Sequence, residues 1–310
     1  MIQFPTVFIL GAGASAPYGF PCGRHLIDTI CDDLDNLHSK FKLNLQKCEF
    51  DEQQIIDFRR ALHLSMLPSI DIFLERRPEF NTVGKAAIAQ AIIPFEKPNS
   101  LYRNASEENW YEYLFAQLDT SVENFHDNKL SIVTFNYDRS LEFFLFTALK
   151  NSFNLENEQA AIVLSKSIEI IHLHGQLGSF PFLDHTNERH YTPEIKPHLV
   201  NMAASCIKLP NEEIEEARQF TRAHELIAKA KIVCFLGFGF HPINTKRLIS
   251  KVQETLQNNW NFRTFHGTGF GIMEGERQPI KTMFGGRIKI GDHDEGILSY
   301  LRSNPIFLKK

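Results

Sequence analysis

Apolar and polar positions along the chain follow two alternating patterns. Short runs of apolar and β-branched residues predict six strands, at Thr6–Leu10, Lys129–Thr134, Ser167–Leu173, Lys231–Leu236, Phe262–His266 and Arg287–Ile290. Apolar residues at three- and four-residue spacing predict helices between them, at His25–Leu37, Leu141–Lys150, Glu212–Ala230 and Ile243–Gln257, and in the tail from Glu295. Strands that alternate with helices are typical of an α/β fold, here a Rossmann-like, mostly parallel sheet with helices on both faces.

A long stretch between the first two strands lacks any strand pattern. From residue 41 to residue 127, helical spacing predicts four helices, at Gln53–Leu64, Ile70–Arg76, Val83–Ile92 and Asn109–Leu118. The prolines that separate them are typical helix stops, at Pro68, Pro78, Pro94 and Pro98. We therefore predict a helical insertion over residues 41–127, within a single domain that spans residues 1–310.

The first candidate for chemistry is a glycine-rich turn directly after the first strand. It reads Gly11-Ala12-Gly13-Ala14-Ser15. Glycines at such a turn let a pyrophosphate approach the backbone N–H groups at the start of the next helix. A tight turn without a ligand remains an alternative. A dehydrogenase would also need an acidic residue after a second strand about 20 residues further on, whereas Asp32, Asp33 and Asp35 lie in a predicted helix.

Two more strands end in motifs that suit a ligand. Asn136 and Asp138 follow the strand that ends at Thr134. Asn136 offers both a donor and an acceptor for a water molecule or a ribose hydroxyl, and Asp138 suits either a ligand or the cap of the following helix. Gly237 and Gly239 follow the strand that ends at Leu236 and provide a second wall of backbone. Because open α/β sheets bind ligands outside the carboxyl ends of their strands, we expect one shared crevice.

A pair of histidines ends the predicted strand Ser167–Leu173. Strand alternation predicts that His172 and His174 lie on the same face, and either is a candidate general base near neutral pH. A structural histidine and a metal site are the alternatives. A metal site needs further ligands and leaves the glycine-rich turn unexplained, so we predict no metal. The irregular stretch Gly178–His198 is predicted either to close over the site or to be an ordinary surface loop.

Taken together, these motifs resemble the sirtuin-like superfamily, and in particular the bacterial sirtuin-like NADases of antiphage defence. The resemblance rests on GAGAS followed by Gly19-Phe20-Pro21, then TFNYD, HLHG and GFGFH, in this order. It covers residues 1–35 and 129–245. It implies that Gly11, Ala12, Gly13 and Ser15 of the glycine-rich turn line the phosphates, and that Asn136 and Asp138 lie by the nicotinamide ribose. It also implies that His174, directly before Gly175, is the catalytic base, and that Gly237 and Gly239 face the adenosine half.

The resemblance also implies an activity and its control. The expected reaction is hydrolysis of NAD+, as substrate, to nicotinamide and ADP-ribose, in an enzyme that stays inactive until phage infection triggers it. Expected partners are further copies of the chain and a HerA-type ATPase, with the insertion as the docking surface. Two alternatives remain: a non-catalytic sensor of NAD or ADP-ribose, and a protein deacylase. Classical deacylases carry a four-cysteine zinc module, which disfavours the second.

Composition and charge argue against several other classes of protein. With 33 Lys and Arg against 37 Asp and Glu, the formal net charge is −4, which argues against nucleic-acid binding. No apolar stretch is long enough for a membrane span, and no basic segment opens a signal peptide, so we expect a cytoplasmic protein. No CxxC pair occurs among the five cysteines, which argues against a disulfide framework and a four-cysteine zinc site: Cys22, Cys31, Cys48, Cys206 and Cys234.

Overall fold

A single six-stranded sheet organises the molecule. The computed structural model describes residues 1–36, 39–102, 107–182, 186–209, 213–256 and 263–307. The strands are β1 (Thr6–Leu10), β2 (Leu130–Thr134), β3 (Glu169–His172), β4 (Ile232–Leu236), β5 (Thr264–Gly267) and β6 (Ile288–Ile290). All pairs are parallel, in the order β3-β2-β1-β4-β5-β6. The predicted α/β class with a parallel sheet is confirmed.

Thirteen α-helices lie in the described ranges. They are α1 (Gly23–Asp35), α2 (Lys40–Lys47), α3 (Glu52–Leu64), α4 (Ile70–Arg76), α5 (Asn81–Ile92), α6 (Trp110–Gln117), α7 (Ser140–Ser152), α8 (Asn157–Ser167), α9 (Pro197–Cys206), α10 (Glu213–Lys229), α11 (Pro242–Leu256), α12 (Glu274–Met283) and α13 (Ile297–Ser303). The sequence pattern missed α2, α8, α9 and α12. Four ends of the predicted elements lie outside the described residues, at Leu37, Glu212, Gln257 and Phe262.

The side chains of the sheet alternate between two apolar cores. In β1, Phe8 and Leu10 pack into the core shared with α1 to α9 and α13, whereas Val7 and Ile9 face the core shared with α10, α11 and α12. This is the period-two alternation of a strand that is buried on both faces. Helices therefore cover both faces, as the sequence predicts.

Between β1 and β2, the described chain is helical and contains no strand. Helix α5 is the centre of this region, since its residues from Val83 to Ile92 are almost all buried. Helix α4 is shorter and begins behind Ser69, whose hydroxyl accepts a hydrogen bond from the N–H of Ile72. The start of α4 lies at the carboxyl edge of the sheet, where residues 68–72 line the candidate site.

Candidate active site at the carboxyl edge of the sheet

The candidate motifs meet where β2, β1 and β4 end. Leu10 pairs with Thr134 on one side and with Leu236 on the other, so the segments after these three residues leave the sheet side by side. From β1, the chain first crosses to β2 on one side of β1, and it later returns to β4 on the other side. Such a reversal of strand order marks the crevice in which open α/β sheets bind ligands.

Three of the predicted glycines hold the two loops together. The N–H of Gly13 donates to the carbonyl of Gly237 over 3.0 Å. A Cβ on Gly11 would lie 2.6 Å from the carbonyl oxygen of Gly237, and a Cβ on Gly237 would lie 2.1 Å from the amide nitrogen of Ala14. Close approach of backbone to backbone therefore explains these glycines, and their role toward phosphates stays a prediction. Gly239, by contrast, faces open space in the cavity wall.

Gly237 and Gly239 form a matched pair for substitution. Gly237 has a φ of +57° and no room for a Cβ, so Gly237→Ala is expected to lower the free energy of unfolding by at least about 2 kcal/mol. At Gly239 a Cβ meets nothing within 4 Å, and Gly239→Ala is expected to change it by less than about 0.5 kcal/mol. Urea denaturation followed by circular dichroism measures both. Equal losses would contradict the packing described above.

A chain of hydrogen bonds joins the glycine-rich turn to the motif after β2. The side-chain amide of Asn136 donates to the carbonyl of Gly11 over 3.0 Å and to the hydroxyl of Ser15 over 3.1 Å. Ser15 in turn donates to one oxygen of Asp138 over 2.8 Å. The other oxygen of Asp138 accepts from the N–H and the hydroxyl of Ser140 at the start of α7. Burial raises the pKa of Asp138, although the Ser140 and Ser15 hydrogen bonds oppose that rise.

A cavity of about 310 Å³ opens above this network. Its volume is at the lower end of the range for small-molecule sites. It is lined by Gly11, Ala12, Ser15, Phe20, Pro21, Gly23, Leu26, Pro68, Ser69, Ile70, Asp71, Ile72, Ile92, Phe135, Asn136, Tyr137, Asp138, Phe238, Gly239, His241 and Asn244. Of the predicted site residues, the cavity wall thus contains six: Gly11, Ala12, Ser15, Asn136, Asp138 and Gly239. The remaining three, Gly13, Gly237 and His174, lie behind it.

His174 is buried beside the cavity and is not part of its wall. Only 2% of the residue is exposed, and its ring packs against Phe135, with the centroids 5.4 Å apart, and against Phe220. Phe135 itself lines the cavity. Burial lowers the pKa of His174; the Asp71 carboxylate opposes this shift, and Arg247 adds to it. The imidazole is therefore neutral at pH 7, as a general base must be.

His172 faces the opposite side of the sheet from His174, so the predicted shared face is wrong. Strand β3 ends at His172, and the chain then turns through Gly175, which has a φ of +69°. The Nδ1 of His172 lies 2.8 Å from the carbonyl oxygen of Asn136, and its Nε2 is hydrogen-bonded to Glu142. A backbone carbonyl and a carboxylate both accept hydrogen bonds, and this arrangement favours the imidazolium form, in which both ring nitrogens donate. His172 thus positions the backbone of Asn136.

The His172–Glu142 pair predicts how stability depends on pH. Burial alone would lower the pKa of His172, but Glu142, the Asn136 carbonyl and Asp138 raise it above its ordinary value. A raised folded-state pKa contributes stability below about pH 6.5, which is lost as the pH rises through that pKa. We expect the free energy of unfolding, measured in urea, to fall between pH 6.5 and pH 8.

Glu142→Gln should abolish this fall, since the neutral amide no longer favours the imidazolium. Asp127→Asn is the matched control, because the His126–Asp127 pair is largely exposed and should leave the pH dependence unchanged. The same dependence in Glu142→Gln and in the unaltered protein would contradict the assignment.

The described part of the loop after β3 does not close over the cavity. Its described residues include the buried Phe180, Arg189 and Tyr191, and they contribute nothing to the cavity wall. Arg189 and Arg139 share the buried carboxylate of Glu96, which fixes the loop to the helical region. Residues 68–72, at the start of α4, form the wall instead.

Several residues of the site escaped the sequence analysis. Asp71 lines the cavity from α4, and its carboxylate accepts a hydrogen bond from the hydroxyl of Tyr137. His241 and Asn244 line it from the start of α11. Tyr137 belongs to the TFNYD motif and His241 to the GFGFH motif, so the sequence could have identified both as candidate site residues. Asp71 carried no signal, because its partner is 66 residues away along the chain.

Comparison with known proteins gives one family. A family model described as a SIR2-like domain matches residues 130–277, from β2 into α12. The resemblance to the sirtuin-like superfamily is confirmed by this match. The matched range contains Asn136, Asp138, His174, Gly237 and Gly239, whereas the glycine-rich turn precedes it. No curated protein matches the chain.

Two negative findings apply to the described residues alone. No three side chains of His, Cys, Asp or Glu within those ranges are grouped so that they could hold a metal ion. None of the helices found there is both long and apolar enough to cross a membrane.

Proposed function

We propose that this chain, which carries a SIR2-like domain, is an NAD+ glycohydrolase. One observation carries the proposal: Asn136 is hydrogen-bonded to the glycine-rich turn and lines one cavity with it, at the reversal of strand order. Most N–H groups of the turn already donate to backbone carbonyls, namely those of Gly11, Gly13, Ala14 and Ser15. Among the described residues of the turn, Ala12 in the cavity wall has the N–H group that a phosphate can reach. Asn136 and Asp138 supply polar groups for the ribose of the nicotinamide half.

The proposed reaction consumes one water molecule. The bond between the ribose C1′ and the ring nitrogen of nicotinamide breaks, its electron pair goes to that nitrogen, and neutral nicotinamide departs. The oxygen of water bonds to C1′, and one of its protons passes to a base, which leaves ADP-ribose. The transition state resembles an oxocarbenium ion, so the protein must hold the ribose and place the water.

Two side chains have roles in this reaction. Both N–H groups of the Asn136 amide are engaged by Gly11 and Ser15, which leaves its carbonyl oxygen to accept a hydrogen bond from the water or a ribose hydroxyl. His174, neutral because burial lowers its pKa, accepts the proton as general base. Phe135 lies against it in the cavity wall. In this proposal the Phe135 ring moves aside on activation, and the described arrangement is the resting form.

Enzymes that deplete NAD+ must be held inactive, and we propose that this one serves antiphage defence. The support is the motif resemblance, together with the recessed base. Activation would come from assembly with further copies of the chain or with a HerA-type ATPase. The helical region offers a surface for this, since Leu64 and Met66 at the end of α3 are 65% and 76% exposed.

A non-catalytic sensor of NAD or ADP-ribose is the second candidate. The position of His174 behind Phe135 favours it, because a binding site has no need of an accessible base. Deacylation is disfavoured, because the five cysteines contain no CxxC pair and are spread over α1 and the residue before it, the end of α2, α9 and β4.

Product analysis separates the three functions. Purified protein is incubated with NAD+ alone and with NAD+ plus an acetylated peptide, and the products are resolved by chromatography. A hydrolase releases nicotinamide and ADP-ribose without peptide. A deacylase needs the peptide and forms O-acetyl-ADP-ribose. A sensor binds NAD+ in calorimetry and releases neither product, whether the protein is dilute or assembled.

A further inference from the structure

The cavity has an unusual balance of charge for a site that would hold a dinucleotide. Two carboxylates line it, from Asp71 and Asp138, and no Lys or Arg occurs among its described lining residues. The two phosphates of a dinucleotide would therefore have to rely on backbone N–H groups, of which the glycine-rich turn offers that of Ala12. The carboxylates call for a positive charge elsewhere in the ligand.

Asp71 is the carboxylate that has an oxygen to offer. Both oxygens of Asp138 accept hydrogen bonds from Ser15 and Ser140. At Asp71, Oδ1 accepts from the hydroxyl of Tyr137, and Oδ2 accepts none from the described residues. Its neighbours Ile70 and Ile72, on the same wall, give the surroundings an apolar surface that suits a flat ring.

The position of Asp71 relates it to one end of the ligand. Asp71 reaches the cavity at the end of β2, through Tyr137, whereas His241 and Asn244 lie at the end of β4. The glycine-rich turn follows β1, which lies between β2 and β4. With the pyrophosphate over this turn, the nucleoside on the Asn136 side lies beneath α4. In the proposed function that nucleoside carries nicotinamide.

We propose that Asp71 is a specificity-determining residue that selects the oxidised, cationic dinucleotide over its reduced form. This inference rests on the proposed function. The nicotinamide ring of NAD+ carries one positive charge, whereas the ring of NADH is neutral and otherwise similar in size. A carboxylate a few ångströms from the ring, in a partly buried site, would favour the cation by roughly 3- to 30-fold in affinity.

Calorimetric binding tests the proposal without turnover. The probes are carba-NAD+, a non-hydrolysable cationic analogue, and NADH. For Asp71→Asn we expect the Kd of carba-NAD+ to rise roughly 3- to 30-fold and the Kd of NADH to change less than about twofold. The control variant keeps the charge at position 71: Glu75→Gln removes another acidic charge from α4, outside the cavity wall. It should not change the ratio of the two Kd values.

Other results overturn the proposal. If Asp71→Asn weakens both ligands equally at an unchanged unfolding midpoint, Asp71 serves only the structure of the wall. If it weakens neither, the ring binds elsewhere. A failure of the proposed function is distinguishable, since the unaltered protein would then either bind neither carba-NAD+ nor NADH or, as a sensor, bind them and release no nicotinamide from NAD+.

Discussion

Replacing His174 by glutamine is expected to lower the kcat of NAD+ hydrolysis by about 10²- to 10⁴-fold, the usual contribution of a general base. Glutamine cannot accept a proton from water, but it keeps much of the volume that packs against Phe135 and Phe220. Since His174 lies outside the cavity wall, the Kd of carba-NAD+ should change less than about threefold. His198→Gln, at an exposed position of α9, is the matched control.

The pH dependence of the rate of NAD+ hydrolysis is a second test of this prediction. Burial lowers the pKa of His174, so the base is neutral from pH 8 down to below its ordinary pKa of about 6.5. The rate should therefore stay level to about pH 6.5 and fall at lower pH, and His174→Gln should lack that fall. Undiminished hydrolysis by His174→Gln would remove His174 from the mechanism.

The second large effect concerns stability. Replacing Glu96 by glutamine is expected to lower the free energy of unfolding by about 3–5 kcal/mol, because it leaves two buried guanidinium groups without their counter-charge. Glu96, Arg139 and Arg189 have fully buried side chains. Arg139 also donates to the carbonyls of Ser179 and Arg189 over 3.2 Å and 2.7 Å. The triad thus joins the helical region, α7 and the loop after β3.

Glu52→Gln is the matched control for this effect. Glu52 pairs with Lys42, but its side chain is 62% exposed, so its loss should cost less than about 1 kcal/mol. Urea denaturation of both variants gives the comparison. A cost at Glu96 no larger than that at Glu52 would show that the triad does not hold the loop in place.

The strands, and the motifs that directly follow them, could be predicted from the sequence. Buried strands are marked by runs such as Thr6–Leu10, and polar or glycine-rich residues follow three of them directly. Parallel pairing then brings these ends together, as Leu10 does with Thr134 and Leu236. The crevice followed from local pattern and from one rule of α/β topology.

Three features were out of reach for physical reasons. The side of the sheet on which His174 lies depends on where β3 ends. Since β3 ends at His172 and the chain then turns, the two-residue alternation of a strand does not extend to His174. Helix α12 contains Pro279 in its interior, and a proline there favours the prediction of a break. Asp71 reaches the cavity through packing of the helical region, which leaves no periodic trace.

Simple product stoichiometry tests the central claim most directly. The unaltered protein is mixed with NAD+ in the absence of any acyl peptide, and nicotinamide, ADP-ribose and residual NAD+ are quantified by chromatography over time, beside Asn136→Ala. We predict one nicotinamide and one ADP-ribose for each NAD+ consumed, and loss of both products in Asn136→Ala. NAD+ that stays intact with both the dilute and the assembled protein, although the protein binds it, would contradict the hydrolase and leave the sensor.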